Sequence, residues 1–252
     1  MTEWRLLETG YNDAATNMAI DEAVMKHAGE LGIPTVRFYA WKPAAISIGY
    51  FQGIREEVEL GKCRELGVDV VRRITGGGAV FHDAELTYSF VCSQDSGILP
   101  KNIIDSYKKI CGSLIIGLKH IGLEASFVPL NDIAVAGKKI SGNAQTRRSG
   151  AILQHGTILM EVDVDKMFSL LLVPNEKLKG KLIEDVKQRV TSLEQQKGKK
   201  ISFGQLSSAL RKGFEENFGV KLKKGKLAAE EKSLAKEIRE NQFAAEQWNF
   251  KR

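Results

Sequence analysis

The stretch RRITGGGAVFHD, residues 72–83, joins two arginines to three consecutive glycines, then an aromatic residue, a histidine and an aspartate. Ordering three glycines is costly, because glycine loses more backbone freedom on folding than any other residue. The stretch matches neither the P-loop nor the dinucleotide-binding glycine pattern, and it joins two β-rich segments. Glycines let backbone N–H groups contact a ligand, and arginines neutralise phosphate or carboxylate. The stretch predicts either a site for an anionic ligand or a glycine-rich turn with two surface arginines.

A second stretch, NDIAVAGKKISGNAQ at residues 131–145, has the pattern of a β-hairpin with an Ala-Gly pair at its turn. Lys138 and Lys139 follow the turn, and at most one faces the interior, because adjacent strand residues point to opposite faces. An inward lysine would direct a positive charge at a ligand phosphate; the alternative is a solvated strand edge. Asn131 and Asp132 at the strand start are suited to a metal ion or a ribose, or to an ordinary turn.

The rest of the sequence mixes strand and helix patterns. Strands are predicted at residues 4–9, 35–41, 45–51, 68–73, 85–93 and 151–163, besides the hairpin. Helices are predicted at residues 15–30, 54–66, 102–122, 166–173, 203–219 and 227–241, with Asp13 and Ser202 as N-caps. Strands do not alternate strictly with helices, so we predict an α+β fold with a mixed or antiparallel sheet flanked by helices. One domain is expected over residues 1–252, helix-rich from about residue 164.

Composition limits the class of protein. The 43% hydrophobic and 27% charged content is typical of a globular protein. Apolar runs are far shorter than the roughly 18 residues of a membrane span, and the N-terminus lacks a signal-peptide pattern. We therefore expect a cytoplasmic protein without membrane association. Cys63, Cys92 and Cys111 lie in no CxxC pair, which favours reduced thiols over a zinc site.

The net charge of +6 favours an anionic partner or an ordinary solvated surface. Lys and Arg outnumber Asp and Glu within residues 176–200. No nucleic-acid-reading motif accompanies these charges, so no nucleic acid partner is predicted.

The two motifs, in this order and about fifty residues apart, resemble the lipoate–protein ligase branch of the biotin/lipoate transferase superfamily. The stretches NMAIDEA (17–23), VRFYAWKPAAISIGYFQ (36–52) and ILQHGTIL (152–159) fit the same family pattern, as does the ending EQWNFKR. The resemblance covers most of the chain. It implies a catalytic domain without the C-terminal accessory domain of the longer ligases, so that domain is either a separate subunit or dispensable.

The resemblance also implies a reaction. ATP and Mg²⁺ would activate lipoate to lipoyl-AMP, and a lysine of a lipoyl carrier domain would then displace AMP. E2 subunits or proteins like the glycine cleavage H protein are the expected carriers. Such catalysis depends on positioning and electrostatics. Lys139 would be catalytic and would bind the acyl-adenylate, with Asn131 and Asp132 near the phosphates and Mg²⁺ and Asp132 as a metal ligand. The implied lipoate and adenylate site also contains Arg72, Arg73, Gly76, Gly77, Gly78, Phe81, His82 and Gly142.

Three alternatives remain open. An octanoyl or lipoyl transferase of the same fold would take its acyl group from acyl carrier protein, or from another lipoylated protein, through a cysteine thioester. That branch carries its cysteine before the hairpin lysine, whereas residues 124–137 contain none, so we expect the ATP-dependent ligase. A biotin ligase has a differently built, more arginine-rich loop. A non-catalytic lipoate- or nucleotide-binding protein would not need Lys139.

Overall fold

The computed structural model of this protein describes residues 2–173 and 176–252. Its strands are β1 (Glu3–Asn12), β2 (Thr35–Trp41), β3 (Ala45–Ile48), β4 (Asp69–Arg72), β5 (Val80–His82), β6 (Glu85–Ser93), β7 (Ala125–Val128), β8 (Asp132–Val135), β9 (Lys138–Arg148), β10 (Ala151–Leu159) and β11 (Lys221–Lys224). Its α-helices are α1 (Ala14–Leu31), α2 (Ile54–Glu57), α3 (Leu60–Glu65), α4 (Ile103–His120), α5 (Val164–Leu170), α6 (Glu176–Arg189), α7 (Leu193–Lys197), α8 (Phe203–Phe218), α9 (Ala229–Ile238) and α10 (Glu246–Asn249).

Local sequence signals set the start of two long helices. The Asp13 side chain accepts a hydrogen bond from the Thr16 N–H, 2.7 Å away, and α1 begins there. Ser202 caps α8 in a capping box, accepting from the Gln205 N–H while the Gln205 side chain accepts from the Ser202 N–H. Both predicted N-caps are confirmed.

Eight strands form one mixed sheet, in the order β11-β1-β2-β6-β10-β9-β8-β7. β1 is parallel to both of its neighbours, and the other strand pairs in this sheet are antiparallel. Ala136 and Gly137, with φ of 50° and 76°, make the predicted tight turn between β8 and β9. The sheet confirms the predicted α+β class.

Helices cover both faces of the large sheet. On one face α4 and α8 enclose an apolar core that includes Phe38, Phe90 and Phe214. On the other face α1 and α9 pack over a second core that includes Tyr39 and Trp41. The two faces of β2 are thus buried against different helices, which explains why all seven of its residues are buried.

A smaller sheet, in the order β4-β3-β5, carries the glycine loop of residues 73–79. β4 delivers the chain parallel to β3, and β5 returns antiparallel to it, so both ends of the loop are fixed to one strand. Ile46, Ile48 and Leu170 pack beneath this sheet. The predicted helix 54–66 is interrupted here, because Val58 is extended and pairs with Leu171.

The C-terminal part is mostly helical, as predicted, and ends with a π-helical turn at Arg239–Phe243 before α10. It also contributes β11 to the edge of the large sheet, which the sequence did not predict. Lysine-rich KLKK reads as a solvated segment, but such charges are common on edge strands. No helix in residues 2–173 and 176–252 is long and apolar enough to cross a bilayer.

Candidate functional site

Two adjoining cavities lie beside the glycine loop. The small cavity has a volume of about 200 Å³ and the large cavity about 440 Å³. Both are lined by Ala79, Val80, Lys139, Gly142 and Thr157. Elements on both sides of the loop complete the small cavity, among them α1, β2, β3 and β10, whereas α5 and α6 help to line the large one. The two motifs that the sequence singled out therefore meet where the cavities join.

The predicted site residues divide between these cavities. The small cavity is lined by Arg73, Gly77, Gly78, His82, Asn131, Lys139 and Gly142. The large cavity is lined by Phe81, Lys139 and Gly142, and neither cavity is lined by Arg72, Gly76 or Asp132.

Arg73 shapes the glycine loop from within. Its guanidinium is buried and donates to the carbonyls of Gly76 and Gly78 at 2.8 and 2.7 Å. Gly77 adopts φ of +97°, and a Cβ at Gly49 would lie 1.9 Å from the Gly77 oxygen. Within the described residues the N–H groups of residues 76–78 form no hydrogen bond. The carbonyls of Gly76 and Gly78 are thus occupied, and the backbone donors of the loop are free for a ligand.

Arg72 has a different position from the one the sequence suggested. Its guanidinium donates to the carbonyls of Gly49, Tyr50 and Gln52 on one side, and to those of Trp248 and Asn249 on the other. It ties the segment after β3 to the C-terminal helix α10. Arg72 therefore supports the loop from outside the cavities.

Lys139 pairs with Asp132 across the β8–β9 hairpin, with 2.8 Å between Nζ and Oδ1. The lysine side chain is 44% exposed, so the paired ammonium is still accessible to a ligand at the junction of the cavities. Asn131 and Asn143 hold each other through side-chain amides and backbone carbonyls. Among the described residues no three His, Cys, Asp or Glu side chains cluster to hold a metal ion.

A buried hydrogen-bonded chain runs along the wall of the small cavity. Ser47 Oγ lies 2.8 Å from His82 Nε2, and His82 Nδ1 lies 2.6 Å from Glu85 Oε1. The indole of Trp41 stacks on His82 with ring centroids 4.0 Å apart. Thr87 donates to the same Glu85 oxygen at 2.6 Å. The imidazole is therefore fixed in orientation, with Nε2 directed at a serine hydroxyl.

A second buried chain holds the loop from the opposite side. Thr75 Oγ1 lies 2.8 Å from His155 Nε2, and His155 Nδ1 lies 3.1 Å from Asp21 Oδ2. Burial lowers the pKa of His155 below 6.5, which favours the neutral ring. Burial, the largest single influence, opposes the charge on Asp21. Arg37 at 2.6 Å, His155 and Ser89 together outweigh it and lower the pKa of Asp21 to about 2. His155 is thus a buried residue of β10 whose two ring nitrogens are both hydrogen-bonded.

The sequence missed several residues of the site. Tyr39 and Trp41 give the small cavity an aromatic wall, but in the sequence they read as ordinary strand residues. Ser47 carried a usable signal, since it is a polar residue in the buried strand β3. Glu85 carried no such signal, because its spacing from His82 in the sequence does not reveal that the two side chains form a hydrogen bond.

The three cysteines lie away from these cavities. Cys63, Cys92 and Cys111 are all buried, and none lines either cavity. Burial raises their pKa values to about 11, 11 and 12, respectively. Such thiols carry almost no thiolate at neutral pH and have no route to a ligand.

Comparison with known proteins identifies the family. Residues 13–215 match the model described as the lipoyl protein ligase A/B catalytic domain. The chain belongs to this family. It is 38% identical to octanoyltransferase LipM of Brevibacillus brevis, with 100% of each chain covered, and 37% identical to that of Geobacillus kaustophilus, with 99% of this chain and 98% of the relative covered.

Solved structures share the fold of this family member. A bi-partite lipoate protein ligase from Thermoplasma acidophilum, studied with its E2 lipoyl domain, superposes with a TM-score of 0.91 at 31% identity, covering 99% of this chain and 97% of the other. A lipoate-protein ligase A bound with ATP superposes with a TM-score of 0.85 at 30% identity, covering 99% of both chains. The resemblance stated from the motifs is thereby confirmed for family and fold.

The predicted activity requires a correction. The expectation of an ATP-dependent lipoate–protein ligase is wrong, because the full-length relatives are octanoyltransferases. They favour the alternative of octanoyl transfer. The glycine loop and hairpin lysine are features of the resemblance to the whole superfamily and not of one reaction, so these motifs could not separate the two activities. The missing cysteine in residues 124–137 was therefore a poor criterion for the activity.

Proposed function

We propose that this protein transfers an octanoyl group from the thioester of an acyl carrier protein to a lysine ε-amine on a lipoyl carrier domain. The acceptors are E2 subunits or proteins like the glycine cleavage H protein. A thioester is already activated, so this transfer consumes no ATP and requires no Mg²⁺.

The observation that carries the proposal is the junction of the two cavities. Met18, Tyr39 and Trp41 give the small cavity an apolar wall suited to a medium-length acyl chain. Lys139 lies at its junction with the large cavity, which has room for the arm of the donor and then for the acceptor lysine. In the proposed complex the acyl carbonyl lies beside the Lys139 ammonium.

The charge that develops in acyl transfer suits the groups at this junction. Attack on the thioester carbonyl places negative charge on its oxygen. The Lys139 ammonium and the free N–H groups of Gly77 and Gly78 are available to stabilise that charge. Asp132 holds the ammonium from the other side, which limits its motion before substrate binds.

The test is a transfer assay with purified protein, octanoyl–acyl carrier protein and an unmodified lipoyl domain, without ATP. We expect the domain to gain one octanoyl mass at its acceptor lysine. Lys139→Ala should lower kcat/KM by roughly 10²–10³-fold, because it removes one donor to the oxyanion. Lys138→Ala is the matched control, since this adjacent lysine is exposed and lines neither cavity.

Parallel reactions supply free octanoate or lipoate with Mg-ATP in place of the carrier-bound donor. A mass gain that appears only in these reactions would contradict the proposal. A gain from octanoyl–acyl carrier protein that is unchanged in Lys139→Ala would remove the role given to Lys139.

A further inference from the structure

Acyl transfer in two stages needs an enzyme nucleophile, which takes the acyl group before the acceptor arrives. The thiols of this protein are unsuited to that role, because all three are buried, outside both cavities and raised in pKa. A different side chain must accept the acyl group if transfer is two-stage.

The small cavity contains a hydroxyl next to a base. Ser47 and His82 both line it, and Ser47 Oγ lies 2.8 Å from His82 Nε2. Arg73 Nη1 donates to the same hydroxyl oxygen at 3.1 Å, so the Ser47 O–H is free to donate to the imidazole. The positive charge of Arg73 favours loss of that proton.

The imidazole is held by a carboxylate on its other side. His82 Nδ1 lies 2.6 Å from Glu85 Oε1, which fixes the tautomer with its proton on Nδ1. The other oxygen, Glu85 Oε2, is buried without a hydrogen-bond partner among the described residues. A desolvated carboxylate in this place stabilises the imidazolium that forms when His82 takes a proton.

We propose that Ser47 is the nucleophile that accepts the octanoyl group, with His82 as general base and acid and Glu85 as positioning residue. This assignment rests on the proposed octanoyl transfer. Ser47 Oγ bonds to the thioester carbonyl carbon while its proton passes to His82 Nε2. The C–S bond then breaks, and the leaving thiolate takes the proton from His82, which leaves an octanoyl ester on Ser47.

The second stage restores the enzyme. The acceptor amine bonds to the ester carbonyl carbon and gives a proton to His82 Nε2. The bond from carbon to Ser47 Oγ breaks, and the oxygen regains that proton from His82. The product is an amide, so each stage is downhill from thioester to ester to amide, and Glu85 does not change its protonation.

The decisive experiment mixes the full chain with octanoyl–acyl carrier protein, without acceptor, and weighs the intact protein. We expect one octanoyl adduct that maps to Ser47 and resists neutral hydroxylamine, as an ester does. Ser47→Ala should lose the adduct and lower transfer by at least about 10³-fold. Ser47→Cys should form an adduct that hydroxylamine removes, which also shows that the site still folds.

Two further measurements separate chemistry from structure. Ser113→Ala, a buried serine of α4 outside both cavities, should keep the ester and the transfer rate. Glu85→Gln should lower kcat for acylation and leave KM for the donor unchanged, because the substitution impairs proton transfer by His82 and does not affect donor binding. A change in KM alone would assign Glu85 a structural role.

The outcomes distinguish this inference from the proposed function. Transfer to the lipoyl domain that continues in Ser47→Ala overturns the role of Ser47 and leaves octanoyl transfer standing. Sequential kinetics in the two substrates would also overturn it, since a covalent intermediate requires ping-pong kinetics. No transfer from octanoyl–acyl carrier protein at all overturns the proposed function and the nucleophile with it.

Discussion

At the scale of single residues, two chains of hydroxyl, imidazole and carboxylate meet at one guanidinium. Arg73 donates to Ser47 Oγ at 3.1 Å and to Thr75 Oγ1 at 3.2 Å. The chain through His155 ends at Asp21, whose carboxylate is already shared with Arg37, so it serves to hold the loop. His82 and His155 both line the small cavity, but Glu85 in the chain through Ser47 has fewer hydrogen-bond partners than Asp21. The two chains therefore contain the same kinds of groups but have different roles, because their surroundings and hydrogen-bond partners differ.

Asp21 should make the stability of this protein depend on acidic pH. Its folded pKa of about 2 lies below its ordinary value of 3.8. A depressed carboxyl pKa adds stability that is fully present above the unfolded value and is lost as pH falls towards the folded value. The contribution is on the order of 2 kcal/mol. We expect urea unfolding of the wild type to show this loss between about pH 5 and about pH 2.

Asp21→Asn should lose about 3–5 kcal/mol at neutral pH, because it leaves Arg37 buried without its charged partner. The loss of stability towards acid should be smaller in this variant than in the wild type. Glu161→Gln is the control, because its ion pair with Lys200 is exposed and worth little. Equal acid sensitivity of Asp21→Asn and wild type would contradict this account.

At the scale of elements, the sequence predicted what local signals specify. The N-cap at Asp13, the turn after Val135 and the glycine loop between two strands all follow from short-range chemistry. The division of the strands into two sheets does not follow from short-range chemistry, because it depends on pairing between strands that are far apart in the sequence. β11 was missed for the same reason, since a lysine-rich strand pairs through its backbone with β1 at the other end of the sequence.

Close packing of α4 and α8 gives a prediction at this scale. A Cβ at Gly213 would lie 2.0 Å from the Ser113 carbonyl oxygen and 2.6 Å from the Gly117 nitrogen, both in α4. Gly213→Ala must therefore push the helices apart, and we expect a loss of about 1–3 kcal/mol from overpacking. The urea midpoint of unfolding measures it.

Gly204→Ala is the matched control on the same helix. A Cβ there meets no atom within 4 Å among the described residues, and alanine favours helix by up to about 1 kcal/mol over glycine. We expect this variant to be as stable as the wild type or more so. Comparable destabilisation by both substitutions would mean that contact with α4 is not the cause.

At the scale of the whole molecule, the family was readable from the sequence and the activity was not. The glycine loop and Lys139 bring backbone donors and a positive charge to the junction of two cavities, and these groups do not by themselves identify a substrate. The residues that would separate one donor from another act through tertiary contacts. Ser47 and Glu85 come together only because β3 pairs with β5 and β5 leads directly into β6.

The net charge of this protein affects how it meets a lipoyl domain. The chain carries +6, and α6, whose lysines include the exposed Lys181, helps to line the large cavity. Lipoyl carrier domains are expected to be acidic, so complementary charge should speed their encounter with this side of the molecule. Raising salt from about 0.05 M to about 0.5 M should lower kcat/KM for the lipoyl domain several-fold and leave kcat at saturation nearly unchanged.

Lys181→Glu should reproduce that loss at low salt, whereas Lys212→Glu, an equal change of charge on α8 across the sheet, should not. Equal effects of the two substitutions would show that only the net charge matters, and a salt-independent kcat/KM would show that the encounter does not depend on charge.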